Sequence, residues 1–448
     1  MREILPKNLF DLAENCQNAL YVVGGSVRDH LADLAPKNGE RDFDLCSPTP
    51  VEAFVECAIK SGFTVKATYK NTSTIKLQDK AGVNYEYSCF RSDEYVRGTH
   101  VPVQTTFTTD INLDARRRDF TCNAVYYDIK TGKYLDPLNG IQAIKEKRLT
   151  TVAPAKKVFS EDGLRLMRLA RQAACLGFSP DNDCLLGAKE NAALIRDISP
   201  ERIFTELWAI LTADEKYGVI GGHYMGLKLL DETRVLDYII PELAAGRNLS
   251  QRPDFHKYDV LEHSLRASLY ADKDIRLAAL LHDVGKSFCM ERDGNAHAHP
   301  EVGEKLARDI LTRLKASTKT IDETATLVAL HMYDFNCKTS ENKLRRFFAT
   351  HYPMLEKLLL VKQADFSACM DDLSIAPTCA RWRKLLEKLE QERAPLTLKQ
   401  LALSGKDLLN VGIEPCRISE ILHKLLYHAV CNPKENTKER LTKLALKL

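Results

Sequence analysis

The stretch YVVGGSVRDHLADLAPKNGERDFDL, residues 21–45, decides the fold of the N-terminal part of the chain. A β-branched run ends at Gly24-Gly25, a helical segment follows, and a short apolar strand then carries Asp42 and Asp44. Alternate residues of a strand face the same side, so the two carboxylates share one space and repel each other unless a cation binds there. Mg²⁺ prefers oxygen ligands, and the glycines let backbone N–H groups approach a phosphate at the next helix. The stretch therefore predicts a metal ion beside a phosphate, the arrangement that nucleotidyl transfer requires.

Composition limits the classes of protein to consider. At 448 residues the chain is long enough for two or more domains, and its net charge of +3 is too small to identify a nucleic-acid partner. From Ala376 onward, 14 lysines and arginines stand against 8 acidic residues, which suits either an RNA-binding tail or a solvated helical face. The thirteen cysteines form no CxxC pair, which favours reduced thiols in the cytoplasm. We expect no signal peptide and no membrane segment, because no apolar run approaches ~20 residues.

The character of the sequence changes near residue 150. Before Arg148, short β-branched or alternating runs such as YVVGG, STIKLQD and VNYEYSCF predict strands mixed with helices. Beyond that residue, stretches such as GLRLMRLARQAACLGF and ERIFTELWAILTA carry apolar residues at helical spacing. We expect a multidomain fold with an α/β domain first, all-helical modules after it, and almost no strand beyond residue 155.

A second motif of the α/β domain reads RRRDFTCNA, residues 116–124. Three arginines at one place are costly to bury without anions, and a triphosphate would supply those anions. Asn123 could donate to and accept from a ribose hydroxyl. The alternative interpretation is a basic surface loop.

The segments GGSVRD, DFD and RRDFTCNA together resemble the polymerase-beta-like nucleotidyltransferase head of bacterial class II CCA-adding enzymes and of the related bacterial poly(A) polymerases. The resemblance implies that two Mg²⁺ ions are held by the catalytic residues Asp42 and Asp44. Glu86 is a weaker candidate for a third carboxylate, or simply an outward residue on a strand. The head residues implied to bind the nucleotide are Gly24, Gly25, Ser26, Arg28, Arg117, Arg118, Asp119 and Asn123.

Residues 161–165, EDGLR, resemble the EDxxR motif that acts as a protein template for the incoming base in this family. We expect a helix to carry the motif, so that Glu161 and Asp162 both lie beside Arg165 and bind the nucleotide with it. A carboxylate would accept from the exocyclic amine shared by cytosine and adenine, while the guanidinium donates to ring acceptors. An ordinary intrahelical salt bridge is the alternative. Arg168 and Arg171 continue the arginine spacing and face either phosphates or solvent.

Two further segments resemble parts of the same family. Residues 91–103, RSDEYVRGTHVPV, fall where the family has a flexible loop needed to switch from C to A addition, although the family's GRHP pattern is replaced here by RGTHVP. The last segment, from LTLKQLALSGKDLLNVGIEP onward, resembles the C-terminal tail that holds the folded elbow of tRNA.

A separate set of histidines and aspartates lies in the helical half of the chain. His263, His282-Asp283 and Asp365 occur in the order typical of the HD phosphohydrolase superfamily. All four can ligate a divalent metal, and burying Asp283 within the apolar segment ALLHDVGK without a cation would be expensive. We expect Gly285 to end the helix that carries the pair.

Three more residues accompany this HD motif. His299 and His331 lie where some HD proteins place further ligands, so they are candidates for a second metal, or structural residues. Lys286 could reach a substrate phosphate. The chemistry implied by the resemblance is attack of metal-activated water on a phosphoester.

These resemblances imply a division of the chain into five parts. We expect a nucleotidyltransferase head over 1–150, a helical neck over 151–215, a body or connector over 216–255, an HD domain over 256–375 and a tRNA-binding helical tail over 376–448.

The implied function is addition or repair of the 3′-terminal CCA of tRNA from CTP and ATP, with an HD site that removes cyclic or terminal phosphates. The expected partners are the 3′ end and elbow of tRNA, with no protein partner and no membrane. Narrower alternatives are an enzyme that adds only CC, an enzyme that adds only A, and a poly(A) polymerase. An alternative from another class is an HD phosphodiesterase whose head only binds RNA or a nucleotide.

Overall fold

The computed structural model describes residues 1–37, 39, 42–69, 73–95 and 102–448. This described chain divides into two compact units. The first unit comprises Met1–Ala244 with Arg313–Ala316, and the second comprises Ala245–Thr312 with Ser317–Leu448.

A mixed sheet of seven strands lies at the centre of the first unit. Its strands are β1 (Tyr21–Val23), β2 (Phe43–Ser47), β3 (Thr64–Tyr69), β4 (Thr74–Gln78), β5 (Asn84–Cys89), β8 (Tyr126–Asp128) and β9 (Tyr134–Leu135). They occur in the order β3-β4-β5-β2-β1-β8-β9, and only the central pair β2–β5 is parallel. The DFD segment therefore forms the middle of the sheet.

Side chains alternate between the two faces of this sheet. Phe43 and Leu45 on β2 are buried, while Asp44 between them is exposed on the opposite face. Tyr87 of β5 stacks on Phe54 of the helix beneath the sheet, with ring centroids 3.5 Å apart. One face therefore belongs to the core, and the other remains available for polar chemistry.

The register of the strands aligns charged residues across the polar face. Asp44 lies opposite Glu86 of β5, and Glu86 lies opposite Lys76 of β4. Directly opposed residues share a face of the sheet. The second aspartate of the DFD segment thus begins a row of charges that runs toward the edge of the sheet.

The segment at residues 91–103 belongs to a separate hairpin. Strand β6 (Arg91–Glu94) pairs antiparallel with β7 (Gln104–Phe107). The flexible loop predicted between them falls largely on residues 96–101, which lie outside the described residues. A short parallel pair, β10 (Arg148–Leu149) with β11 (Ser179–Pro180), is the one strand pairing that we find among the described residues beyond 145.

Helices make up most of the remaining structure, which confirms the predicted fold class. The helices within residues 1–244 are α1 (Asn8–Asn15), α2 (Gly25–Leu31), α3 (Val51–Lys60), α4 (Ile111–Arg116), α5 (Gly140–Lys145), α6 (Ala155–Glu161), α7 (Leu164–Leu176), α8 (Asn182–Asn191), α9 (Pro200–Leu211), α10 (Ala213–Tyr217), α11 (Gly222–Glu232), α12 (Leu236–Ile239) and α13 (Pro241–Ala244). The helices after residue 244 are α14 (Val260–Tyr270), α15 (Arg276–Leu281), α16 (Gly285–Asp293), α17 (His299–Arg313), α18 (Thr318–Leu330), α19 (Glu341–His351), α20 (Leu355–Met370), α21 (Pro377–Gln391), α22 (Gly405–Asn410), α23 (Ile418–Cys431) and α24 (Lys438–Ala445). In the part of the chain that is described, no helix combines the length and the apolar character needed to cross a bilayer.

One hydrophobic core runs through the second unit. It includes Phe348 of α19, Leu358 of α20, Trp382 of α21 and Leu425 of α23, all fully buried. The rings of Phe348 and Trp382 lie 5.1 Å apart, edge to face. Helices that carry the HD motif and helices of the C-terminal segment therefore pack around the same residues.

Replacement of Trp382 should test this shared core. We expect Trp382→Ala to lower the free energy of unfolding of the second unit by about 3–5 kcal/mol, because the cavity it leaves cannot close around buried rings. Urea denaturation measures the change. The matched control is Leu373→Ala, whose side chain is 74% exposed and should change the free energy by no more than about 0.5 kcal/mol. A small effect at Trp382 would show that the core does not depend on this ring.

Candidate functional site

A large polar cavity of about 1540 Å³ lies over the exposed face of the sheet in the first unit. Eleven lysines and arginines line it against eight carboxylates, so the wall is rich in charge of both signs and carries a positive excess. The predicted residues that line it are Gly24, Gly25, Ser26, Arg28, Asp42, Asp44, Arg117, Arg118, Asp119, Asn123, Asp162, Arg165, Arg168 and Arg171. The structure thus brings every residue predicted for the first site into this cavity except Glu161.

The carboxylates of Asp42, Asp44 and Glu86 lie together on the floor of the cavity. The Asp44 carboxylate remains open to the cavity but is surrounded by protein, and this burial is the main cause that raises its pKa to about 6. Arg118 opposes the rise, while Glu86 and Asp42 add to it. The repulsion among three carboxylates would be relieved by a divalent cation, and the donor set of oxygens alone fits a hard ion such as Mg²⁺.

Gly24 allows the chain to pass very close to this floor. Its φ is +81°, and a Cβ built on it would lie 3.0 Å from Oδ2 of Asp44. Any other residue would be strained by the backbone conformation and would crowd the carboxylate. The Gly-Gly turn therefore places the start of α2 directly beside Asp44.

Asp114, a residue that the sequence analysis did not single out, fixes the arginine motif. Its buried carboxylate accepts from Nε of Arg117 at 2.7 Å and from Nη2 of Arg118 at 3.0 Å. Arg117 and Arg118 line the cavity, whereas Arg116 is exposed and turns away from it. The two guanidiniums keep the pKa of Asp114 far below its usual range despite burial. One carboxylate between two cations leaves a positive charge available for a ligand.

Arg28 connects the start of α2 to two other parts of the cavity wall. Its Nη1 donates to Oδ1 of Asn123 at 2.7 Å and to Oε1 of Gln172 at 3.0 Å, and its Nη2 pairs with Asp29 at 2.6 Å. The hydroxyl of Ser26 is buried on this wall without a partner among the described residues. The network holds Asn123 in place, and the Ser26 hydroxyl is free to bond a ligand.

Asp119 is held against the helix that carries the last two predicted arginines. Its Oδ2 lies 2.6 Å from Nη2 of Arg168, and its Oδ1 accepts from Asn123 at 3.0 Å. Burial would raise the pKa of Asp119, but Arg168 outweighs it and lowers the pKa to about 2. Arg171 is bonded to Glu206 at 2.5 Å. Both arginines are thus oriented toward the cavity by carboxylates.

The EDGLR motif does not lie on one continuous helix, as the sequence analysis expected. Helix α6 ends at Glu161 and α7 begins at Leu164, so Asp162 and Gly163 form the junction. A Cβ at Gly163 would lie 2.7 Å from the carbonyl oxygen of Leu194, so only glycine allows this approach. Burial raises the pKa of Asp162 to about 6, although Arg165 opposes the rise.

Arg165 links the motif to the arginine cluster. Its Nη2 donates to the carbonyl oxygen of Arg117 at 2.7 Å, and its Nη1 donates to Glu161 at 3.2 Å. The guanidinium also lies 5.5 Å from the ring of Tyr95. Glu161 itself does not line the cavity but bonds Arg165 from behind. Its contribution is therefore to orient the guanidinium, while Asp162 and Arg165 are the groups that a ligand would contact.

The HD motif forms a second centre in the other unit, where Asp283 lies between two groups of histidines. Oδ2 of Asp283 is 3.3 Å from Nε2 of His263 and 3.2 Å from Nε2 of His282. Oδ1 is 3.2 Å from Nε2 of His299 and 3.7 Å from Nε2 of His331. The structure therefore brings the predicted residues together in two half-sites that share one carboxylate.

Asp365 completes the first half-site, which consists of His263, His282, Asp283 and Asp365. Its Oδ1 lies 3.1 Å from Nε2 of His263 and 3.4 Å from Nε2 of His282. The second half-site consists of Asp283, His299 and His331. Ligand atoms that bind one ion at about 2.0–2.2 Å are separated by about 3.0–3.5 Å from one another, the range seen here.

The tautomers of three histidines also suit metal binding. Nδ1 of His282, His299 and His331 each lies 2.7 Å from a backbone carbonyl oxygen. A carbonyl only accepts, so each Nδ1 carries the hydrogen and each Nε2 presents a lone pair toward the centre. Lone pairs facing one another across about 3 Å repel unless a proton or a cation lies between them. The nitrogen and oxygen donors together fit a divalent transition metal.

The pKa values in this centre move in opposite directions. Burial lowers the pKa of His331 to about 4, so its ring is neutral. Burial also lowers the pKa of His282, but Asp283 and Asp365 outweigh it and raise the pKa to about 10. A cluster that draws a proton onto one histidine is one in which a metal ion can replace that proton.

Two lysines support the centre from outside. Lys286, predicted to reach a phosphate, lies 2.6 Å from Oδ2 of Asp283 and donates to Gln251 at 2.7 Å. Lys362, which sequence reasoning missed, donates to the carbonyl oxygens of His331 and Tyr333, both at 2.6 Å. Lys362 thereby fixes the end of α18 that carries His331.

Gly285 has a different role from the one predicted. It does not end a helix but is the first residue of α16. A Cβ built on it would lie 2.3 Å from the carbonyl oxygen of His299. Glycine is required because the start of α17, which carries His299, packs directly against this residue.

Comparison with known proteins identifies three regions of the chain. Residues 20–150 match the family described as the poly A polymerase head domain, residues 177–246 match the probable RNA and SrmB-binding site of polymerase A, and residues 256–365 match the HD domain. The cavity residues of the head and the HD centre fall within the first and third regions.

Relatives extend the similarity over most of the chain. An A-adding tRNA nucleotidyltransferase of Deinococcus radiodurans is 30% identical over 432 residues, which cover 90% of this chain and 90% of that protein. A multifunctional CCA protein of Stenotrophomonas maltophilia is 30% identical over 321 residues, 66% of this chain and 71% of that protein. The crystal structure of the Bacillus stearothermophilus CCA-adding enzyme in complex with CTP aligns with a TM-score of 0.68 at 25% identity and covers 99% of this chain and 98% of that chain.

Removal of the Asp114 charge should destabilise the first unit. We expect Asp114→Asn to lower its free energy of unfolding at pH 7 by about 3–5 kcal/mol, because two buried arginines lose their carboxylate. The folded-state pKa of Asp114 is lowered, so its stabilisation is complete above the unfolded value of about 3.9 and is lost as pH falls below that value. Urea denaturation from pH 7 to pH 2 should show a smaller acid-induced loss in the variant.

The matched control removes an exposed carboxylate from the same unit. Glu146 forms a surface ion pair with Arg148, and Glu146→Gln should change the free energy of unfolding by no more than about 1 kcal/mol. Equal effects of the two substitutions would contradict the role assigned to Asp114.

Proposed function

This chain belongs to the tRNA nucleotidyltransferase family whose members combine a poly A polymerase head with an HD domain, and we propose that it builds or repairs the 3′-terminal CCA of tRNA from CTP and ATP. The observation that carries this proposal is one cavity that contains both the carboxylates of Asp42 and Asp44 and the Asp162–Arg165 pair. The first pair suits nucleotidyl transfer, and the second suits a choice between bases without a nucleic-acid template.

We propose Asp42 and Asp44 as the ligands of Mg²⁺, with Glu86 beside them. Bound there, Mg²⁺ would activate the primer 3′-hydroxyl and stabilise the leaving pyrophosphate. Arg117 and Arg118, oriented by Asp114, would bind the triphosphate. The N–H groups at the start of α2 and the Ser26 hydroxyl would supply neutral donors to the same phosphates.

Asp162 and Arg165 would select the base. A carboxylate accepts from the exocyclic amine of cytosine or adenine, and Arg165 keeps donors free for ring acceptors after bonding Arg117, Val158 and Glu161. Uracil and guanine lack that amine and would leave the buried Asp162 without a partner, which is a strong basis for rejection. The bond from Arg165 to the Arg117 carbonyl would join base selection to triphosphate binding.

The HD centre is proposed to hydrolyse phosphoesters such as cyclic or terminal phosphates at damaged tRNA ends. Its half-sites would hold two divalent ions, which when bound would supply an activated water as the nucleophile. Asp283 would bridge them, and Lys286 would keep its Oδ2 oriented. We place both reactions in the cytoplasm, a proposal supported by thirteen free cysteines among the described residues.

A second candidate function is addition of the terminal A alone. The relative that covers 90% of this chain is an A-adding enzyme, and the residues that choose between cytosine and adenine would serve either activity. In that case the head would accept only a tRNA that already ends in CC.

Nucleotide incorporation on truncated tRNA tests these functions. Transcripts that lack CCA, CA or A are incubated with labelled CTP or ATP, and products are resolved on sequencing gels. A CCA-adding enzyme should complete all three, whereas an A-adding enzyme should add only ATP to the transcript that lacks A. Asp42→Asn with Asp44→Asn should abolish addition and preserve HD hydrolysis. No incorporation by the unaltered protein on any transcript would refute both candidates.

Metal content tests the HD proposal. Inductively coupled plasma mass spectrometry should find two divalent ions per chain in the unaltered protein. His299→Ala with His331→Ala should retain one ion, while His282→Ala with Asp283→Ala should lose both because Asp283 is shared between the half-sites. His423→Ala, at an exposed position, is the control. Unchanged metal content in the second double variant would rule the centre out.

A further inference from the structure

The cations that line the head cavity fall into two classes. All seven arginines, Arg28, Arg91, Arg117, Arg118, Arg165, Arg168 and Arg171, pair with a carboxylate. Among the described residues, none of the four lysines, Lys37, Lys66, Lys76 and Lys216, forms an ion pair. The arginines are therefore fixed parts of the wall, whereas the lysines hold charge that the first unit itself leaves uncompensated.

Two of these lysines continue the charged row of the sheet. Lys76 lies directly opposite Glu86, which lies opposite Asp44. Neighbouring strands are about 4.8 Å apart, so Lys76 stands about 10 Å from Asp44 along the row. Since Lys76 forms no ion pair with Glu86, its ammonium group is not used to neutralise the catalytic floor.

A β-bulge brings Lys66 to the same place. Strand β3 pairs with β4 through Val65 opposite Leu77 and Ala67 opposite Lys76, so Lys66 is an extra residue in the ladder. In a regular strand Lys66 would point to the face opposite Ala67 and Lys76. The bulge sets two residues of β3 against one of β4 and re-aims the extra side chain, and Lys66 accordingly lines the cavity.

An exposed aromatic ring accompanies the two lysines. Tyr69 is 47% exposed, and the ammonium group of Lys76 lies 5.9 Å from its ring centroid. Tyr69 lies opposite Thr74, which shares the cavity face with Lys76. Unpaired cations beside an exposed aromatic ring are the combination that binds a single-stranded nucleic acid through phosphates and base stacking.

The position of this surface relative to the other groups indicates which nucleic-acid strand it meets. The Gly24-Gly25 turn lies on the β1 side of Asp44, and the residues proposed to bind triphosphate and base lie on that turn, the arginine motif and α7. Lys76 and Lys66 lie on the opposite side, beyond Glu86. In an in-line transfer, the attacking hydroxyl approaches from the side opposite the leaving pyrophosphate.

We propose that Lys66 and Lys76 form a binding site for the backbone phosphates of the 3′-terminal nucleotides of the RNA primer. The proposal rests on the proposed function, since it assigns the primer side of that active site. The bulge at Lys66 exists, in this view, to place two ammonium groups where consecutive phosphates of the primer pass.

The test compares Lys66→Gln with Lys76→Gln in one double variant against the unaltered protein. We expect the KM for tRNA to rise about tenfold near 0.15 M salt, and the slope of log KM against log salt to fall by about 1.4, since each lost single-strand phosphate contact contributes about 0.7. The KM for ATP or CTP should not change. A rise in the nucleotide KM instead would place the lysines on the triphosphate and overturn the proposal.

The matched control is Lys80→Gln with Lys133→Gln, which removes the same charge from exposed positions of the head outside the cavity. A neutral methylphosphonate at the last linkage of the primer provides a second measurement. It should weaken binding to the unaltered protein and have little further effect on the Lys66/Lys76 variant, because both changes remove one interaction. Additive effects, or equal losses in the control variant, would refute the site.

Equilibrium binding separates this proposal from the function on which it rests. Fluorescence anisotropy with labelled tRNA, without nucleotide, should show the same loss of affinity in the double variant. If the unaltered protein adds no nucleotide, the proposed function fails, and the anisotropy result still decides the phosphate site. If addition occurs but neither KM for tRNA nor affinity changes in the variant, only the phosphate site is refuted.

Discussion

The nucleotide-facing side of the head depends on one buried carboxylate shared by two arginines. Asp114 is fully buried, and it accepts from Arg117, from Arg118 and from the hydroxyl of Tyr126. Without this anion, two guanidiniums would lie side by side in a wall packed against Cys46 and Ala115, and their repulsion would be unscreened. With it, their geometry is set before any ligand arrives, yet half of their charge remains uncompensated. A polyphosphate therefore meets donors that need little reorganisation, which is the condition under which electrostatic stabilisation is largest.

The HD centre applies the same device with the opposite sign. Asp283 is an anion shared among four histidine nitrogens, and its two oxygens face different half-sites. Here the protein supplies lone pairs and negative charge and lacks only cations. Lys362 and the backbone carbonyls bonded to each Nδ1 fix the ligand atoms from outside, so the cost of ordering them is met by folding rather than by metal binding. In both centres a single shared carboxylate determines the spacing of several functional groups.

Local sequence patterns were enough to predict much of this arrangement, and tertiary contacts explain the rest. The alternation of Phe43, Asp44 and Leu45 predicts a strand with one polar face, and the spacing of His282-Asp283 within an apolar segment predicts a buried centre. The role of Asp114 was also readable, because it precedes Arg117 and Arg118 by three and four residues on a helix. The break at Gly163 and the position of Gly285 were not, since each is set by a carbonyl oxygen far along the chain, from Leu194 and His299 respectively.

The contrast between fixed arginines and unpaired lysines follows from what successive additions demand of an active site. The nucleotide pocket must present the same donors in every cycle, and a planar guanidinium held by a carboxylate keeps its geometry with little entropy left to lose. The primer, in contrast, is one nucleotide longer after each transfer, so its phosphates must leave one position and occupy the next. A lysine on a flexible stem can follow such a displacement, because an ammonium group imposes little directional geometry on the phosphate it binds. The β-bulge at Lys66 supplies this adaptable charge at the edge of a sheet whose centre, at Asp44, stays rigid.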